Sequence, residues 1–369
     1  MEANKKRLET DIFFKELDPK KIQSGWFSDI YFPRAKTILE EDDHHPKALM
    51  QVFQKNKAVV GGIDETIAVL KIGTGFFDED NNFLNCWDEI EVKALYDGDE
   101  IKPFETVMTI EGDYSLFAHL ETVYLGILAR RTKVATNVRR VVEAAGEKPI
   151  LFFSARFDHP FNQTGDGYAA YKSGALGVST DAQDAWWGAK ALGTIPHGLI
   201  AAYNGDTVKA TVKFAEWAEK QKERINVISL VDFDNDCVGT SLAVARALGK
   251  RLWGVRLDTS NSNVDKSLMN QFDLRFDPRG VNSQLVRNVR EALDKEGFTW
   301  VKIVVSGGFN PQKIKRFEEE NIPADIYAVG SAFFEGKFDY TADIVLVNGK
   351  PCAKVGRKYN PNPRLELVE

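Results

Sequence analysis

From Pro149 onward, short apolar runs alternate with stretches of helical spacing. The runs are Ile150 to Phe153, Ala175 to Val178, Leu192 to Ile195, Val227 to Val231, Leu252 to Val255, Val301 to Val305 and Ile326 to Val329. They recur about every 30 residues, the length of one strand-plus-helix unit. Continuous apolar runs of this length read as strands buried on both faces, joined by helical crossovers in a parallel sheet, either a barrel or a doubly wound sheet. Seven units fall one short of the eightfold barrel, so the barrel reading is of an incomplete one.

The pattern upstream is different. Glu89 to Tyr96 and Pro103 to Gly112 alternate apolar and polar residues around Asp97-Gly98-Asp99, which predicts two half-buried antiparallel strands and their turn. Ser115 to Arg131 sets Leu116, Leu120, Tyr124, Leu125 and Leu128 at helical spacing, and Val134 to Ala145 is expected to continue as a second helix. Near the other end, Asp343 to Val347 and Pro351 to Val355 flank Asn348-Gly349, a strong hairpin signal that returns the C-terminus to the N-terminal β region. The expected organisation is α/β: a β-rich domain with an N-terminal arm from 1–114 and 339–369, bridging helices over 115–148, and an α/β barrel over 149–338.

Charge and cysteine usage narrow the class. Lys and Arg number 48 against 54 Asp and Glu, a net charge of -6, so no basic field holds a polyphosphate backbone and nucleic acid is excluded as the main partner. Cys86, Cys237 and Cys352 are odd in number and far apart, which gives neither a disulfide framework nor a zinc knuckle. No apolar run approaches the roughly 18 residues that span a bilayer, and Met1 to Asp11 is charged where a leader would be apolar. A cytoplasmic location without membrane attachment is expected.

Parallel barrels build their sites from the loops at the carboxyl ends of the strands. There this chain carries Arg156, Asp181, His197, Asp232, Arg256 with Asp258, Ser306-Gly307-Gly308 and Gly330-Ser331. Two arginines, three aspartates and a histidine converging on one mouth suit an anion, with carboxylates for hydroxyls or a metal. The glycines of the last two loops, each expected just ahead of a helix, let backbone N–H groups approach a phosphate. His197, after a stiff Ile195-Pro196 pair, reads as a general base, a metal ligand or a phosphate acceptor. Tyr31 and Phe153, near Asp29, Arg34 and Arg156, are candidates to clamp a flat ring. His44-His45 reads as part of a solvated charged loop. Asp232 to Asp236 is not a calcium loop, because Cys237 takes the glycine position and Ala243 the bidentate glutamate position.

In the stretches SDIYFPRAKTIL, SARFDHP, GTIPHGLI, GVRLDTS, VKIVVSGGF, IYAVGSAF and DIVLVNGKPCAKVGR, the chain resembles the archaeal-like branch of the nicotinate phosphoribosyltransferases, of the type II phosphoribosyltransferase fold. The resemblance implies an incomplete barrel beside a β-rich domain, and formation of nicotinate mononucleotide from nicotinate and 5-phosphoribosyl 1-pyrophosphate with magnesium. It implies that Gly307, Gly308, Gly330 and Ser331 hold the 5-phosphate, Asp258 the ribose hydroxyls, and Arg156 and Arg256 the base and phosphates. Phe153 and Tyr31 would sandwich the pyridine, with Tyr31 and Arg34 supplied by a neighbouring subunit of a homodimer or higher homo-oligomer. His197 would be phosphorylated by ATP. The chain departs from the family in Phe157, where a second arginine is common, and in Asp181, an acid near the base pocket that suits nicotinamide's amide. Nicotinamide or quinolinate transfer, or a non-catalytic nucleotide sensor, are the alternatives within the fold.

Overall fold

The structure, a computed structural model, describes residues 5–15, 17–188, 192–269 and 277–369. It divides into two compact units, one of 1–139, 159–173 and 334–369, the other of 140–158 and 174–333. Among the described residues no helix is long and apolar enough to cross a membrane.

The first unit is built on an antiparallel six-stranded sheet in the order Lys350–Pro351, Tyr340–Val347, Lys47–Gln54, Thr106–Asp113, Glu91–Ala94, Glu366–Leu367. The expected turn is present: Asn348 and Gly349 both take positive φ, 48° and 73°, and Val347 pairs with Lys350, but the second arm is only Lys350–Pro351 where Pro351 to Val355 was expected. Met50, Val52, Val92 and Ile110 pack in one apolar core with the helix Ile63–Gly73 and with Tyr124 and Leu128. Tyr124 and Leu128 belong to Glu121–Ala145, which is one helix of 25 residues where the spacing suggested two. No glycine or proline interrupts Arg131 to Val134, so nothing stops the backbone from continuing. Leu116 and Leu120 lie before it, in a four-residue helical turn and a 3-10 turn.

A buried guanidinium ties this unit together. Arg131 donates from Nε and Nη2 to the two oxygens of Glu65, at 2.8 and 3.1 Å, and from Nη1 to Asp166 at 2.8 Å. Arg130 takes Asp166 as well, at 3.0 and 2.6 Å. The arginine can lie there because position 165 is glycine: a Cβ would sit 2.2 Å from the guanidinium. Removing one partner would strand a charge in the core, at a cost of about 3–5 kcal/mol.

The second unit holds a curled parallel sheet in the order Val227–Leu230, Leu252–Leu257, Lys302–Val305, Ile326–Val329, Ile150–Phe152, Gly177–Val178. Six of the seven expected strands are here. The seventh, Leu192 to Ile195, has no regular secondary structure and is not a strand of the sheet. Leu192 N–H donates to the Val178 carbonyl at 2.8 Å, and Ile195 packs in a cluster with Leu230. Gly193 weakens this stretch and Pro196 has no N–H to extend a ladder. The sheet therefore stays open between its Gly177–Val178 and Val227–Leu230 edges.

His119, in the first unit, is 1% exposed, and burial together with the Lys36 charge pushes its pKa from 6.5 down to about 3. Between those values the unfolded chain binds a proton at this position that the folded chain does not, so this group lowers stability as pH falls below 6.5. His119→Leu should therefore gain on wild type by about 1.4 kcal/mol for each pH unit below pH 6. Urea midpoints of both proteins at pH 7, 6 and 5 measure that gain; a difference independent of pH would remove His119 as the cause.

Candidate functional site

The parallel register sets the site. Arg256 pairs with Val304 and Leu257 with Val305, so the next residues, Asp258 and Ser306, leave the sheet side by side. Arg256 and Asp258 are two apart and project to the same face. The side chains then lock together. Arg256 donates from Nε to Ser306 Oγ at 2.8 Å, from Nη2 to Asp258 Oδ2 at 3.0 Å and from Nη1 to Thr194 Oγ1 at 3.2 Å. Ser306 Oγ donates to Asp258 Oδ1 at 2.7 Å.

These residues open onto a cavity of about 380 Å³. Of the expected residues, it brings together Phe153, Arg156, His197, Arg256, Asp258, Ser306, Gly307, Gly308, Gly330 and Ser331. Its walls differ in character. Phe153 reaches the cavity while packing on Leu151, Ile228, Val304 and Ala328, and the Arg256 guanidinium lies 5.5 Å from its ring centre. Arg156 sits in a 3-10 turn, exposed, 5.3 Å from the Phe157 ring centre and without an ion pair among the described residues. Three of the five N–H donors of Arg256 are taken by its neighbours, so Arg156 is the freer cation for an incoming carboxylate.

Gly307 and Gly308 follow one another at φ 82° and 70°, a left-handed pair that branched residues do not adopt. The helix Pro311–Glu319 follows, capped by Asn310. Gly330-Ser331, expected to precede a helix too, instead enters a four-residue 3-10 turn, Ser331–Phe334.

His197 begins the helix His197–Ala202, and its Nε2 lies 3.1 Å from Asp232 Oδ1. Asp232 does not line the cavity; it stands behind the histidine, 8% exposed. Burial raises its pKa; His197 opposes the shift and Asp258 adds to it. Asp181 also lies outside the lining, exposed at the start of a short helix. The residue of this stretch that does line the cavity is Ser179, whose N–H and hydroxyl both donate to Gln183 Oε1 at 3.1 Å. Tyr31 and Arg34 belong to the first unit, on the helix Tyr31–Glu41, and are not among the lining residues. Tyr31 is 58% exposed and its hydroxyl donates to Asp29 at 3.2 Å.

Sequence reasoning passed over Thr194, Ser179 and Phe309. Ser179 directly follows the run Ala175 to Val178 and falls under the strand-end rule that found the others, whereas Thr194 lies inside the run Leu192 to Ile195 and is found only through its bond to Arg256. Phe157, read there only as a missing arginine, lines the cavity and packs over Gly330.

The family model described as quinolinate phosphoribosyl transferase, N-terminal domain, matches residues 29–132. A nicotinate phosphoribosyltransferase of Mycobacterium tuberculosis is 28% identical over 285 residues, 75% of this chain and 58% of that protein. The chain thus spans about three fifths of the length of the curated relatives it matches. The crystal structure of a nicotinate-nucleotide pyrophosphorylase from Pyrococcus furiosus is 33% identical, with TM-score 0.77, covering 95% of this chain and 85% of that one. That of human nicotinic acid phosphoribosyltransferase shares the fold at 19% identity and TM-score 0.68, over 90% of this chain and 77% of that one.

A Cβ at position 330 would lie 2.4 Å from the Phe157 ring and 2.8 Å from the Phe153 carbonyl oxygen. Gly330→Ala should cost about 1–3 kcal/mol. Phe157→Ala in the same chain should restore only part of it, since the backbone contact remains. Urea unfolding of the single and double variants measures both; full recovery would mean that the ring alone makes the constraint.

Proposed function

Because the chain belongs to the nicotinate phosphoribosyltransferase family, we propose that it joins nicotinate to 5-phosphoribosyl 1-pyrophosphate, forming nicotinate mononucleotide and pyrophosphate in NAD synthesis. The observation that carries this reading is one cavity lined at once by an aromatic ring, an arginine without an ion pair and a two-glycine turn. Phe153 stacks on the pyridine, Arg156 meets its carboxylate, and N–H groups of Gly307, Gly308 and Gly330 hold the 5-phosphate. Asp258 takes the ribose hydroxyls with the lone pairs that Arg256 and Ser306 leave free. Nicotinate is favoured over nicotinamide because the acid Asp181 lies outside the cavity lining and Ser179 within it. Quinolinate carries a second carboxylate, for which Arg256, already bonded three ways, has little to offer.

The pyridine nitrogen is nucleophilic as it stands, so no strong base is required. The bond from C1 to pyrophosphate breaks as the bond to nitrogen forms, through an oxocarbenium-like state. The protein aligns the ring with C1 and sets cations and N–H groups against the departing charge. Magnesium would neutralise part of that charge. No group of three His, Cys, Asp or Glu is placed to hold a metal among the described residues, so the ion would rest chiefly on substrate oxygens.

Two further features belong to the reading. A hydrogen bond from Nε2–H of His197 to Asp232 would leave Nδ1 as the nucleophile for an ATP γ-phosphoryl group. The helix Tyr31–Glu41 has no fully buried residue, and Trp26, Phe27, Ile30, Tyr31 and Ile38 around it are exposed. An apolar surface of that kind suits a second subunit, with Tyr31 reaching the partner's base pocket in a homodimer. Cys86, Cys237 and Cys352 are free thiols, as suits a cytoplasmic enzyme.

Incubating the protein with the sugar pyrophosphate, magnesium and either nicotinate, nicotinamide or quinolinate should give mononucleotide from nicotinate with the highest kcat/KM. Arg256→Ala and Asp258→Ala should each lower it by about 100-fold or more without unfolding. Mixed dimers of Asp258→Ala with Tyr31→Ala should recover activity, having one intact composite site; none in demonstrated mixed dimers would count against sharing. A preference for another base would reassign the substrate, and no turnover with any of them would favour a sensor.

With γ-labelled ATP, acid-labile and base-stable label is expected on the His197 peptide. His197→Ala should keep slow ATP-independent synthesis but lose ATPase activity and stimulation by ATP. An unlabelled peptide, with rate and yield indifferent to ATP, would end the coupling idea and leave the transfer reaction untouched.

A further inference from the structure

The glycine turn of the cavity has a cation behind it. Lys313, in the first turn of the helix Pro311–Glu319, does not line the cavity. Its side chain runs back toward the helix start, as long helical side chains do. Its Nζ reaches 3.5 Å from the Gly307 carbonyl oxygen and 4.2 Å from the centre of the Phe309 ring, a cavity-lining residue 3% exposed. No carboxylate forms an ion pair with it among the described residues. An ammonium half-sunk beside an aromatic ring without a counter-ion is poised to respond to a negative charge on the other side of the turn.

The peptide geometry says what it does there. The Gly307–Gly308 bond is trans, as no cis peptide bond occurs among the described residues. In a trans planar unit the carbonyl and the following N–H point to opposite sides. An ammonium that holds the Gly307 carbonyl from behind therefore turns the Gly308 N–H the other way. We propose that Lys313 is a positioning residue for the phosphate of the phosphoribosyl substrate, clamping the Gly307 carbonyl so that the Gly308 N–H is presented to the cavity and adding its charge beneath it. This rests on the phosphoribosyl reading above.

The charge on Lys313 is within reach of ordinary pH. Burial, then the positive Arg316 on the same helix, lowers its pKa from 10.5 to about 8. The other ionisable groups around it are committed elsewhere. Arg256 and Asp258 at the adjoining strand end bind one another. On the neighbouring strand, Tyr327 donates to Glu318, which also pairs with Lys148. A phosphate monoester is already dianionic above pH 7, its second pKa being about 6. Loss of the Lys313 proton above pH 8 should thus weaken phosphate binding while the ligand's own charge stays constant.

The test uses the whole chain, with ribose 5-phosphate as the binding probe and the complete reaction as the kinetic one. Lys313→Met should raise the Kd for ribose 5-phosphate and the KM for the sugar pyrophosphate about tenfold, with kcat changed by less than about twofold. In wild type the Kd should climb from pH 7.5 to 9, in Lys313→Met it should be flat, and in Lys313→Arg it should stay low and flat, since arginine does not titrate there. Equal weakening in Met and Arg variants, or a Met variant with the wild-type Kd and pH profile, would overturn the role. Should wild type bind ribose 5-phosphate in the expected manner yet transfer the phosphoribosyl group of the sugar pyrophosphate to no pyridine base, the catalytic reading falls and the Lys313 assignment stands. Should wild type bind no ribose 5-phosphate while turning over, the assignment falls alone.

Discussion

The in-register pairing of Leu252–Leu257 with Lys302–Val305 is the constraint on which the cavity rests. It delivers Asp258 and Ser306 to the same level at the sheet edge, and the two-residue period places Arg256 on the face of Asp258. A slip of one residue would turn Arg256 into the opposite layer and leave Asp258 without its two donors. Once set, the arrangement is self-supporting: the serine hydroxyl links guanidinium and carboxylate, and Thr194 ties in the segment that spans the open side of the sheet. Because all strands run the same way, every loop that follows one opens on that edge.

In the first unit, Arg131 performs the comparable service for a different architecture. Its bonds to Glu65 and Asp166 join helices that an apolar core alone would hold with less orientational demand. The geometry is possible only with a residue as small as Gly165. Nearby, Asp97 accepts the N–H groups of Ile63 and Asp64 at 2.9 and 3.1 Å and fixes the start of the buried helix. Burial, with Asp64 beside it, pushes its carboxyl up to about 7. Unit by unit, charged groups are buried where they set an angle or a register, and the apolar surface supplies the bulk of the stabilisation.

The cavity divides its cations by commitment. Arg256 ties three neighbours together, so removing it would disturb the wall as well as any ligand contact. Arg156, exposed beside Phe157, is free to meet a ligand at little reorganisation. Phe157 also explains a departure from the family pattern: the ring that replaces a second arginine occupies the space over Gly330, within 2.4 Å of where a Cβ would be. A packed turn thus stands where the family pattern has a second arginine.

The alternation of apolar runs and helical spacing was enough to determine six of the parallel strands, the hairpin at Asn348-Gly349 and the list of strand-end residues, because period and turn chemistry are local properties of the chain. Ten of the expected residues line one cavity for the same reason: in a parallel sheet, position after a strand is already position at the mouth. What failed to show was whatever depends on a partner far along the chain. Leu192 to Ile195 has the composition of a strand, yet pairing also requires a neighbour and a donor that Pro196 lacks. Asp181 and Ser179 stand two residues apart after one strand, and only the fold decides that Ser179 lines the cavity and Asp181 does not. Thr194 became a holder of Arg256, Asp232 a support for His197, and Lys313 a cation behind the glycine turn, each through contacts between segments that sequence spacing does not relate. Periodicity tells which face a residue occupies; packing in three dimensions alone tells what stands opposite it.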